Sequence, residues 1–220
     1  MPKEMKTARA RDRDATALRL VEALERVLSR EGFRGLGVNS VAREAGVDKV
    51  LIYRYFGDFD GLVEAFGQRL DLWIGQESMA SVPKVGYAET MRHLLREYAK
   101  ALRGNRTLRR ILAWELVDSS PIVRKLDASR SKAVSAWFAR ERGELAAPAG
   151  VDAPAVNTLL IAGLHYLALR EESIGSFAGM NLRDPASWSR LEAAADRLLD
   201  CALSANPAGG RDGGDRSPGG

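Results

Sequence analysis

The sequence predicts an all-α protein of about nine helices, three small ones to about Phe56 and then six longer ones. Three observations predict it. Apolar residues recur every three to four positions along nearly the whole chain, the spacing of one helix face. Glycines, or a capping side chain followed by proline, punctuate the runs. Alternating polar and apolar stretches with β-branched residues are missing, so no sheet is expected.

The first stretch is polar and basic, with Lys3, Lys6, Arg9, Arg11 and Arg13 against Glu4 and Asp12, and reads as a flexible arm over residues 1–13. A helix then buries Leu20, Ala23, Leu24, Val27 and Leu28 and stops at Gly32. Leu62, Phe66, Leu70, Trp73 and Ile74 form a second stripe, on a helix expected to run unbroken from Asp60 to about Gln76. Met91, Leu94, Leu95, Tyr98 and Leu102 form a third stripe, ended by Gly104; Leu108, Ile111, Leu112 and Leu116 form a fourth. Ser120-Pro121, Asp152-Ala153-Pro154 and Asp184-Pro185 each set a capping side chain before a first-turn proline. Residues 205–220, rich in Gly, Pro and charge, bury too little apolar surface to offset their ordering entropy and are expected to be a disordered tail.

The segment Val38–Phe56 carries the chemistry. Val38, Val41, Ala42 and Ala45 share one face of a short helix. Gly46 breaks it with a left-handed turn that glycine enters without steric cost. Val47 turns back to the core, Asp48 caps the next helix, and Ile52 and Phe56 anchor it at i and i+4. Two short helices across a tight glycine turn, braced by a longer preceding helix, make a helix-turn-helix, whose second helix enters the major groove. On its exposed side Lys49, Tyr53, Arg54 and Tyr55 offer donors to base edges and phosphates, while Asn39, Ser40 and Arg43 on the first helix are placed to clamp the backbone. The basic arm adds counterion release.

These residues resemble the TetR-type (TetR/AcrR) bacterial regulators. The resemblance rests on Ala23, Gly32, Phe33, Val41-Ala42, Ala45-Gly46-Val47, Lys49, Ile52-Tyr53-Arg54-Tyr55-Phe56 and Leu62, and covers about the first third of the chain. It implies a DNA-binding unit over 14–58, and an effector-binding and dimerisation domain over 59–204. It also implies a repressor, released from a palindromic operator by a small molecule. Gly37 departs from the Thr or Ser usual there, Phe59 from a common Lys, and Val50 and Leu51 from Gly and Thr. The last pair gives an apolar reading face suited to thymine methyls.

In the second domain Trp73, Met91, Tyr98, Trp114, Trp137, Phe138, His165 and Tyr166 are candidate pocket lining, each equally at home in a core; aromatics and methionine favour an apolar or aromatic ligand. Glu97 and Glu115 are candidates to meet a cationic group. The helix over 155–170 is apolar on nearly all sides and must be covered on all of them. With the last helix it is expected to form a four-helix, two-fold homodimer interface through Leu160, Leu164, Leu167, Leu191, Ala195, Leu198 and Ala202.

Bulk properties narrow the alternatives. One cysteine, Cys201, excludes an internal disulfide and fits a reducing cytoplasm; two distant histidines, His93 and His165, argue against structural zinc. No run approaches the ~20 apolar residues of a membrane span. No nucleophile–base pair, metal cluster or phosphate-cradling loop appears, so neither catalysis nor a cofactor is expected. The net charge of +4 is too small to identify a nucleic-acid binder by itself. The competing readings are a helix-turn-helix regulator that is constitutive or answers to a protein partner, and a helical protein–protein adaptor.

Overall fold

A computed structural model describes residues 2–69, 73–74 and 86–204. Among them are nine α-helices: α1 (Pro2–Glu31), α2 (Val38–Ala45), α3 (Val50–Phe56), α4 (Phe59–Gly67), α5 (Tyr87–Gly104), α6 (Arg106–Glu115), α7 (Pro121–Arg142), α8 (Ala153–Ser173) and α9 (Pro185–Ser204). The fold is all-α, as expected, with one addition. Ser176–Phe177 and Met180–Asn181 pair as a two-stranded antiparallel ribbon between α8 and α9. Ala178 and Gly179, both at positive φ (48° and 79°), turn it. Positive φ at both central residues matches the right-handed twist of the flanking strands. Alanine is a poor marker for such a turn, so the ribbon leaves little trace in the sequence.

Burial explains the N-terminal unit. Leu20, Leu24 and Leu28 of α1, Val41 of α2, Ile52 of α3 and Leu62 of α4 have no exposed surface. Burying each such side chain is worth about 1.5–3 kcal/mol. The helix α1 is longer than expected and takes in residues 2–13, read above as a flexible arm. Its alternation of Lys, Arg, Glu and Ala, all strong helix formers, continues the helix backwards from the buried stripe.

The C-terminal helices are arranged around α5, which packs against α6, α7, α8 and α9. Arg92–Asp200 and Arg96–Asp196 ion pairs tie α5 to α9. The helix expected to run unbroken from Asp60 to Gln76 instead ends at Gly67. Gly67 lies where α4 presses on α7: a Cβ there would come within 2.6 Å of the Ser129 Cβ. The Trp73 indole N–H donates to the Gly67 carbonyl at 2.7 Å, satisfying an acceptor freed at the helix end. Leu70 and the rest of that expected helix beyond Trp73 and Ile74 lie outside the described residues, as does the expected tail over 205–220.

Caps follow the sequence with one exception. Asp58, Asn105 and Asp152 each accept the backbone N–H three residues on, and Asp184 accepts that of Ala186. Ser120 does not cap α7; its buried hydroxyl oxygen has no partner among the described residues, and Asp118 takes the Ser120 N–H at 2.8 Å instead.

Candidate nucleic-acid interface

The turn between α2 and α3 forms as its residues dictate. Gly46 sits at φ 65°, ψ 36°, and its N–H reaches back to close α2. Asp48 accepts the Val50 N–H at 2.8 Å at the start of α3. The recognition helix is held from behind by Ile52, fully buried, with Leu51, Tyr55 and Phe56 packed partly against the same core. Gly61 lets α4 approach α3, since a Cβ there would fall 2.1 Å from the Phe56 carbonyl oxygen.

The expected contact residues divide into three groups. Val50, Tyr53 and Arg54 on α3 and Lys49 just before it, with Asn39 and Arg43 on α2, are exposed. Val50 is 60% and Tyr53 51% exposed, unusual for an apolar and an aromatic side chain on a well-anchored helix. Among the described residues neither Arg43, Lys49 nor Arg54 makes a salt bridge, whereas Arg26 and Arg30 of α1 are both tied to Glu44. Leu51 and Tyr55 are half-buried, and Tyr55 lies under the Arg13 guanidinium at 5.7 Å. Ser40 turns inward: its hydroxyl hydrogen serves the Gly35 or Gly37 carbonyl, at 2.8 and 3.0 Å. Gly37 offers no side-chain cap, so Ser40 holds the entry to α2.

Beside the packing of α4 on α7, α1 meets α6. Ser29 of α1 shares a hydrogen bond with Thr107, and Arg110 donates to the Ser29 carbonyl at 2.7 Å. The Trp114 ring meets Phe33 edge-on at 5.8 Å and lies so close to Gly32, itself at φ 70°, that a Cβ there would be 3.3 Å away. The next residue, Glu115, faces a different space. A cavity of about 540 Å³ among α6, α7 and α8 is lined by Leu112, Glu115, Leu116, Asp118, Ser119, Val123, Arg124, Asp127, Arg130, Ser131, Ala162, His165, Tyr166 and Leu169.

The expected pocket residues are spread over several places. Of the pocket candidates, His165 and Tyr166 line the cavity. Trp73, Met91, Tyr98 and Trp137 are core, each no more than 4% exposed, and Trp114 belongs to the domain seam. Large rings fill space best where nothing else must fit, so the size that made them candidates places them in the core. The polar floor was missed. Arg130, buried, donates to Glu115 at 2.6 Å and to Asp127 at 2.7 Å. Its signal was present: on α7, Val123, Leu126, Arg130 and Trp137 make one buried stripe, and a charge within an apolar stripe marks a buried ion pair. Burial raises the Glu115 carboxyl above its ordinary range, against the pull of Arg130. His165 and the Tyr98 hydroxyl share a 2.6 Å hydrogen bond; burial pulls the imidazole down to about 4 and pushes the phenol up to about 12.

The expected interface residues also divide. Leu198 is 62% exposed, while Leu160, Leu167, Leu191, Ala195 and Ala202 are half-buried and Leu164 is buried within the protomer. The outward apolar residues of α8 are instead Leu159, Ala162 and Tyr166, the last met edge-on at 5.0 Å by Phe177 of the ribbon. Leu116, expected on the buried stripe of α6, is 74% exposed, one residue beyond the helix end.

No helix among the described residues is long and apolar enough to cross a membrane. Residues 20–66 match the family model of bacterial regulatory proteins, tetR family. An uncharacterized HTH-type transcriptional regulator of Mycobacterium tuberculosis is 29% identical over 130 residues, 59% of this chain and 63% of that relative's length. A tetR family regulator structure from Shewanella sp. PV-4 superimposes with a TM-score of 0.60 at 16% identity, covering 87% of this chain and 99% of that one. The regulator FadR from Bacillus subtilis, in complex with stearoyl-CoA, gives 0.54 at 15% identity, covering 85% and 97%. The helix-turn-helix with its outward face lies within the residues that match the tetR family model, so residues 20–66 are similar to that family's helix-turn-helix unit, and the helices around and after them share the fold of these solved structures.

Proposed function

We propose that the protein is a homodimeric repressor that grips a palindromic operator through α3 and is released when a small apolar or aromatic ligand enters the cavity among α6, α7 and α8. The supporting observation is the last turn of α6, where Glu115 lines the cavity while Trp114 packs on Gly32 and Phe33 of the DNA-binding unit. A ligand that binds one setting of this turn better than another shifts the population of α1 orientations, and with it the spacing of two recognition helices. In a dimer these stand about one DNA turn, ~34 Å, or a multiple apart. The outward apolar residues Leu159, Tyr166 and Leu198 favour a two-fold pairing of α8 and α9, because an exposed apolar helix face is costly unless covered.

Fluorescence anisotropy on the DNA upstream of the protein's own gene, across a salt series, tests this. The wild type is expected to bind selectively, and a Lys49→Ala, Tyr53→Ala double variant to lose about tenfold or more. Equal, weak binding by both would remove α3 from the DNA. Unchanged operator affinity with a ligand that demonstrably binds the cavity would remove the release mechanism.

A further inference from the structure

The effector cavity has a charge imbalance that bears on what it takes. Three carboxylates line it, Glu115, Asp118 and Asp127, against two guanidiniums, Arg124 and Arg130. The His165 imidazole, held down to about 4, is neutral near pH 7. At the buried end one guanidinium, Arg130, serves two carboxylates at once. The Glu115 Oε1 is buried and has no hydrogen-bond partner among the described residues. Arg130 Nε, likewise unpartnered, adds a donor but no further charge. A buried carboxylate with an open lone pair, beside a base already shared, is compensated by a cation and made worse by an anion. The apolar lining comprises Leu112 and Val123, both buried, half-buried Leu169, and the more exposed Leu116 and Tyr166, in a volume within the range of small-molecule sites.

We propose that the cavity selects a lipophilic amine, whose protonated nitrogen sits against the Glu115 carboxylate while its apolar body lies among Leu112, Val123, Tyr166 and Leu169. This rests on the reading of the cavity as the effector site and names the chemistry of the effector. An acyl ester of an anionic carrier, such as the stearoyl-CoA held by the Bacillus subtilis structure neighbour, brings the wrong sign of charge to this floor.

A matched ten-carbon series tests it: decylamine, 1-decanol and decanoate, titrated calorimetrically into the full chain at pH 7 and below micellar concentrations. Decylamine is expected to bind about tenfold more tightly than decanol, with decanoate weakest. Glu115→Gln, which keeps the side chain's size, is expected to abolish the amine's advantage and leave decanol unchanged. Decanoate or stearoyl-CoA binding best, equal affinity for amine and alcohol, or no binding of any probe overturns the proposal; the wild-type series decides it even if the variant folds poorly. Operator anisotropy with decylamine present separates the two claims. An amine that binds without releasing DNA leaves the head-group assignment standing and sinks the release mechanism. Release by the anion does the reverse.

Discussion

The helix-turn-helix unit and the helices around the cavity are stabilised by different physics. Around α3 the buried residues are aliphatic, Leu20, Leu24, Val41, Ile52 and Leu62, and the charges sit outside, where Arg26 and Arg30 meet Glu44 in water. Around α7 the titratable groups are inside: the ion pair of Arg130 with Glu115, and the neutral His165 hydrogen-bonded to Tyr98. An aliphatic core is indifferent to pH and to small polar molecules. A core with ionised groups at a cavity wall responds to both, because each buried charge makes local stability depend on what is bound beside it. The division is the one the proposed function calls for, a constant reading head and a responsive second half.

Four measurements sharpen or break this contrast. Arg130→Leu strands two carboxylates, one of them mostly buried, and is expected to cost about 4 kcal/mol in urea unfolding. A cost under about 1 kcal/mol would mean water reaches the pair. Ile52→Ala empties the sole fully buried position of α3 and is expected to cost about 3 kcal/mol and to abolish operator binding. Acidification should separate the halves. The unfolded imidazole takes its proton near 6.5 and the folded His165 near 4, so between these values the unfolded state binds more protons and stability falls as pH falls. The expected loss from pH 7 to 4 is about 2–3 kcal/mol, and His165→Gln should flatten that limb of the curve. The smallest effect belongs to Glu44→Ala: its two ion pairs are solvent-exposed, so the melting temperature is expected to stay the same within error, and a clear drop would contradict the assignment of stability to the apolar core.

The same contrast explains what the sequence made legible. The helix-turn-helix reads out because its determinants are local: Gly46 at a left-handed turn, Asp48 two residues before the N–H it caps, Ile52 behind them. The cavity depends on where α6, α7 and α8 stand relative to one another, and no local spacing records that. Hence spacing alone does not separate Trp73 and Trp137, which are buried in the core, from residues such as Asp127 and Arg130, which line the cavity. The break of α4 at Gly67 was hidden for the same reason, since the apolar period continues through it and the cause is the approach of Ser129 on another helix. Ser40 shows the limit at short range: a hydroxyl facing DNA and a hydroxyl bound to its own backbone look alike in sequence until the Gly35 and Gly37 carbonyls are placed.

The seam at Trp114 has a practical consequence. The chain has four tryptophans; Trp73, Trp137 and Trp188 are sealed from solvent, and Trp114 stands half-open between the domains. Its emission is the part of the intrinsic fluorescence that a neutral quencher such as acrylamide can reach. The protein therefore carries its own optical gauge of how α1 and Phe33 sit on α6. Effector titrations can be followed by quenching at that one indole, without attaching a dye.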